Sequence, residues 1–173
     1  MLAIISGKAK QKINFIAYYQ IIGGAIGLLL TFSIFVNYDL NISVWFIVLL
    51  TLGLYTFSMF CGKTLLDGKV QKGLQLSTIN QLLQSVNFAM AGFAFKYVAG
   101  VNLAIGIDYT NDFQFFFRYS LSEFQVNLNS QKTLVSVGIN LMAIGLIILI
   151  GNVNEEYKSE NSIPINSDSL TNK

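Results

Sequence analysis

The sequence predicts an all-α membrane protein, a four-transmembrane-helix bundle carrying a small extracytoplasmic three-stranded antiparallel β-meander between helices three and four. Two observations carry that prediction. The 173 residues are 53% hydrophobic and only 12% charged, where a soluble domain carries about 25% charged residues. The charged residues also divide the chain into four long uncharged stretches, 13–38, 40–62, 73–95 and 133–154. Each exceeds the about 20 helical residues that cross a ~30 Å hydrocarbon core.

The N-terminal segment 1–12 holds Lys8, Lys10 and Lys12 and leads into the first span, 13–36. Its apolar run is longer than the ~7–15 residues of a signal peptide and ends without a small-x-small site, so a retained helix is expected. Gly23, Gly27 and Thr31 recur along one side of it, and small residues at that spacing let two helix backbones approach closely. Packing inside the bundle is the expected use, self-association between copies the alternative. The second span is 42–62. Lys63, Lys69 and Lys72 follow it, whereas the loop before it has no lysine. By the positive-inside rule the N-terminus and this second loop are cytoplasmic, and an even number of spans returns the C-terminus to the same side. Tyr38 and Trp45 are then expected at the outer interface, and Tyr18, Tyr19 and Tyr157 at the inner one.

The third span, 77–97, is amphipathic. Ile79, Leu82, Val86, Met90 and Phe93 form an apolar stripe at helical spacing, with Ser77, Asn80, Gln81, Gln84, Ser85 and Asn87 opposite. Asn80, Gln84 and Asn87 follow i, i+4, i+7, so they make a polar intramembrane stripe, with Asn140 in the fourth span and Gln20 or Asn14 in the first as available partners. An unpaired amide in hydrocarbon costs several kcal/mol. Hydrogen bonds between helices are the expected role, and a lined solute path is the alternative.

Beyond Lys96 the period changes from helical to alternating across 100–130. Leu103, Ile105, Ile107 and Tyr109 alternate, then Phe113, Phe115, Phe117 and Tyr119, then Phe124, Val126 and Leu128, with breaks at Asn111-Asp112 and Leu121-Ser122. The expected meander has one aromatic face and one carrying Gln114, Arg118, Gln125 and Asn127. Phe113, Phe115, Phe117 and Tyr119 are the candidate partner-facing surface. The fourth span, 133–151, closes the bundle. The tail 154–173 is polar, holds the single proline, Pro164, and is expected to be disordered and cytoplasmic.

Composition excludes much chemistry. The chain has no histidine and one cysteine, Cys61, which removes the common general base and the usual nucleophile systems. No Asp, Glu or Arg falls inside any span, so the carboxylates of an ion-coupled pump are missing. Asp108, Asn111, Asp112 and Glu123 fit no calcium loop and read as turn residues. Gly62-Lys63-Thr64 lacks the upstream glycine of a phosphate-binding loop. A net charge of +2 without a dense basic run does not suit nucleic acid. The expectation is a multi-pass, non-enzymatic cell-membrane protein with no cofactor and no metal, of the kind found in a bacterial inner membrane. It would act as an accessory or assembly subunit whose partners are the lipid bilayer and another membrane protein or a second copy. A passive channel or small-solute permease lined by the polar stripe is the alternative.

Overall fold

The computed structural model describes residues 6–37, 42–128 and 135–162. Its elements, in chain order, are α1 (Gly7–Asn37), α2 (Ile42–Leu66), α3 (Val70–Ser85), β1 (Val86–Met90), β2 (Phe93–Asp108), β3 (Gln114–Leu128), β4 (Ser136–Asn140) and α4 (Leu141–Ser162). The architecture is therefore four helices joined to a four-stranded antiparallel sheet, and not an all-α four-span bundle.

α1 and α2 form an antiparallel pair held at closely fitted points. Gly62 lies against the Ala17 carbonyl, Gly24 against Met59, and Gly27 against the Tyr55 ring. These two helices, over Gly7–Phe32 and Val44–Leu66, are the ones among the described residues long and apolar enough to cross a membrane. Only 39% and 28% of their most apolar stretches are buried, so both present an apolar outer surface. α2 ends in a Schellman motif: Lys69 N donates to Thr64 O, Gly68 N donates to Leu65 O, and Gly68 takes the left-handed φ of 76°. The chain then turns back as α3.

Two expected spans are corrected. Residues 77–97 are not one helix: α3 stops at Ser85, and Val86 begins a strand. A two-residue turn follows, with Ala91 at φ 53° and Gly92 at φ 86°. Positive φ at both central residues is the type I′ geometry that matches strand twist, and it brings Met90 opposite Phe93. Residues 133–151 are not one helix either. Ser136–Asn140 is strand β4, inserted between β1 and β2, and α4 begins only at Leu141. Asn140 caps it, its Oδ1 accepting from Met142 N at 3.1 Å. The first part of the tail, 154–162, is corrected too: α4 continues through Ser162, where Tyr157 packs on the helical core and Lys12 pairs with Glu156, while 163–173 lie outside the described residues. Tyr38 and Pro164 lie outside the described residues.

The meander is a longer structure than expected. β2 and β3 form one hairpin from Phe93↔Leu128 to Asp108↔Gln114. Leu121-Ser122 is not a break between strands but faces a bulge, where the register slips between Val98 and Val101. β1 pairs with the first end of β2 and β4 with the other end, while β1 and β4 also pair with each other. The bulge bends β2 so that this closure is possible. One end of the molecule is thus a four-helix cluster built on Ile13, Ile16, Leu65, Leu74, Ile150 and Val153. At the other, the sheet takes the place of α3 and α4 and packs Tyr97 and Ala99 on Tyr55.

Candidate functional site

The bulge is the joint of the molecule. Slipping the register frees three consecutive backbone amides, and each donates to a side chain from a different element. Ala99 N bonds Gln84 Oε1 of α3 at 2.8 Å, Gly100 N bonds Ser122 Oγ at 3.0 Å, and Val101 N bonds the Tyr19 hydroxyl of α1 at 2.9 Å. Ser122 Oγ in turn donates to Gly23 O, and Tyr19 donates back to Val101 O. Gly23 is needed there, because a Cβ would come 2.6 Å from the Ala99 carbonyl carbon. Gly100 has φ 111°, a conformation closed to other residues without strain.

Beneath the joint lies a polar cluster. Asn80 Nδ2 donates to Gln20 Oε1 and to Ser58 Oγ, both at 3.1 Å. Gln20 Nε2 donates to Ser77 Oγ at 2.8 Å, and the Tyr97 hydroxyl lies between Leu54 O and Asn80 Oδ1. Asn80 and Gln84 are therefore committed to interior bonds. Asn87 is on β1, against Gly138, and Asn140 is at the head of α4, accepting from Leu103 N. The expected stripe is thus dispersed over a helix, two strands and a cap. Gly23 and Gly27 meet β2 and α2 respectively, and Thr31 donates to the Gly27 carbonyl. Five buried atoms have no partner among the described residues: both amide atoms of Gln81, Gln84 Nε2, Asn102 Oδ1 and Asn140 Nδ2.

The sheet has a more polar and a more apolar face. Its polar face bounds a hollow of ≈ 330 Å³ lined by Asn87, Lys96, Arg118, Ser120, Glu123 and Gln125, among others. Lys96 Nζ lies 2.6 Å from Glu123 Oε2. Partial burial would raise the Glu123 carboxyl, but hydrogen bonds from Lys96 and Ser120 and the charges of Lys96 and Arg118 outweigh it and hold it below its ordinary range. Arg118 stands 4.2 Å over the Phe116 ring and reaches Asp108 at 3.6 Å. Asp108 is kept low by hydrogen bonds from Thr110. The group Asp108, Asn111 and Asp112 thus closes the β2–β3 turn, with Glu123 in the hollow. No family model, curated protein or solved structure matches this chain.

The apolar face divides at the bulge. On the near side Phe95, Tyr97 and Phe124 pack on α1 and α2. On the far side nothing described covers it: Phe115 is 78% exposed, Phe117 67% and Tyr119 64%. Ile105, Ile107, Phe115, Phe117, Val137 and Ile139 line an apolar groove of ≈ 600 Å³ there. A second groove, of ≈ 300 Å³, joins this face to α1 between Phe15, Tyr18, Ile22 and the Val101–Leu121 row. The expected residues Phe113, Phe115, Phe117 and Tyr119 do share this surface. The sequence reading missed Val137 and Ile139, whose alternation in β4 was the available signal.

Proposed function

We propose that this chain is a non-enzymatic membrane protein that works by association. In this reading α1 and α2 cross the bilayer, both chain ends lie on the lysine-bearing cytoplasmic side, and the far half of the β2–β3 hairpin is the contact surface for a protein partner. The observation that carries it is the row Phe115, Phe117 and Tyr119, exposed on an edge strand whose one neighbour among the described residues is β2. Exposed apolar patches on this scale mark interaction sites, and an open strand edge offers backbone groups for strand addition. The common side for the two ends is supported by Ser6 N donating to Glu160 Oε2 and by the Lys12–Glu156 pair.

A photo-crosslinking residue at Phe115 or Phe117, activated in native membranes, tests the reading. Capture of a protein chain is expected at both positions. Capture of lipid alone, or of this chain's own helices alone, overturns it.

A further inference from the structure

Resting on that reading, we propose that the partner is a second copy of this chain, joined β3 to β3 in antiparallel fashion about a two-fold axis at Phe117. From Gln114 to Leu121 the β3 register is unbroken, and this stretch holds neither the lysine nor the proline that blunts natural strand edges. Among the described residues its outer edge has no strand beside it, and an open edge of this kind is a ready template for another strand.

The sequence of β3 selects both partner and register. In a two-fold antiparallel pair each residue faces a fixed counterpart. Centred on Phe117, that residue faces its own copy, Phe115 faces Tyr119 of the partner subunit, and Phe113 faces Leu121 of the partner subunit. On the polar side Phe116 faces Arg118 of the partner subunit, a ring-and-guanidinium contact that one copy already makes within itself at 4.2 Å. A register centred on Phe115 leaves only residues 114–116 of β3 to pair, and the other neighbouring registers fit worse. Centring on Arg118 sets two guanidinium groups opposite each other, centring on Phe116 sets Leu121 against Asn111, and centring on Tyr119 sets Phe115 against Glu123. An axis between residues lays the aromatic face of one copy beside the polar face of the other.

The axis runs perpendicular to the sheet. Copies in one bilayer share an orientation, so this axis is the bilayer normal and the far half of the hairpin lies across α1. The groove at the Val101–Leu121 row suits that geometry, since α1 meets the far half of the sheet there and the exposed strands continue beyond it. The two aromatic faces then merge into one continuous surface.

Disulfide trapping in native membranes tests the register, with Cys61→Ala removing the native thiol. Directly opposed antiparallel residues have Cα atoms ~4.5–5.5 Å apart, within the ~4.4–6.8 Å a disulfide spans. Phe117→Cys is expected to convert most of the chain to a band of twice the mass on mild oxidation. Phe115→Cys and Tyr119→Cys are expected to join each other when co-expressed, and each to stay single when expressed alone. Equal self-joining by Phe115→Cys and Phe117→Cys would overturn the register. A single-mass Phe117→Cys together with photo-capture of a different protein at Phe117 would overturn self-pairing and leave the association reading standing. Capture of lipid alone or of the chain's own helices alone would remove both.

Discussion

Asn80 and Gln81 are neighbours on α3, both buried, and substitution should move stability in opposite directions. Asn80→Leu leaves Gln20 Oε1 without a partner and removes one bond each from Ser58 and Tyr97; an unsatisfied buried group costs about 1–3 kcal/mol. A loss on the order of 3 kcal/mol is expected from thermal or denaturant unfolding in detergent. Gln81 has two amide atoms without a partner among the described residues, so Gln81→Leu should raise stability by about 1 kcal/mol. The Lys96–Glu123 pair makes a pH prediction. The native carboxyl is held below the ordinary 4.5, so the pair's contribution is fully present above that value and is lost as pH falls through the lowered native one. Glu123→Gln should therefore lower the Tm at neutral pH, with the difference from wild type closing as pH drops below 4.5. A constant difference across that range would contradict it. Sequence pattern showed that amides gather on α3 and offered Gln20 among their partners, but not Ser58 or Tyr97, which come from two other elements.

The turn Ala91-Gly92 is the element the sequence reading lost. Ala-Gly is a weak turn signal beside Asn-Gly, and Val86, Met90 and Phe93 also fit a helical stripe, so an uncharged run was read as one long helix. The competing signal was present: Val86, Phe88 and Met90, then Phe93, Phe95 and Tyr97, alternate with smaller or polar residues. Ala91 holds a left-handed φ of 53°, which costs roughly 1–2 kcal/mol in a residue other than glycine. Ala91→Asn should thus stabilise the protein by about 0.5–1 kcal/mol, since asparagine tolerates that conformation and Asn-Gly favours this turn. Gly92→Val should cost about 1–3 kcal/mol for the same reason reversed. Both are read as shifts in unfolding midpoint, and opposite signs would contradict the turn assignment. β4 was hidden for a different reason. Its five residues open an apolar run, and their pairing with β1 and β2 is remote in sequence. Asn140 just before Leu141 was the local cue to where α4 starts.

For the whole molecule, hydropathy located α1 and α2, because an apolar outer surface is written in their composition. It did not separate them from α3 and α4, which draw their stability from a shared core and from the sheet. The alternation along residues 103–128 did point to strands there, with Phe115, Phe117 and Tyr119 on one side and Phe116 beside Arg118 on the other. What alternation cannot reveal is the bulge, which lets helices cover half of that face and leaves the half bearing Phe115, Phe117 and Tyr119 open. The mass of the protein component in mild-detergent particles, measured by light scattering for the wild type and for Phe115→Ser/Phe117→Ser, tests association through this surface most directly. A wild-type mass of at least twice that of the chain, falling to a single chain in the variant, is the predicted result. The same mass for both proteins, single or multiple, would contradict it.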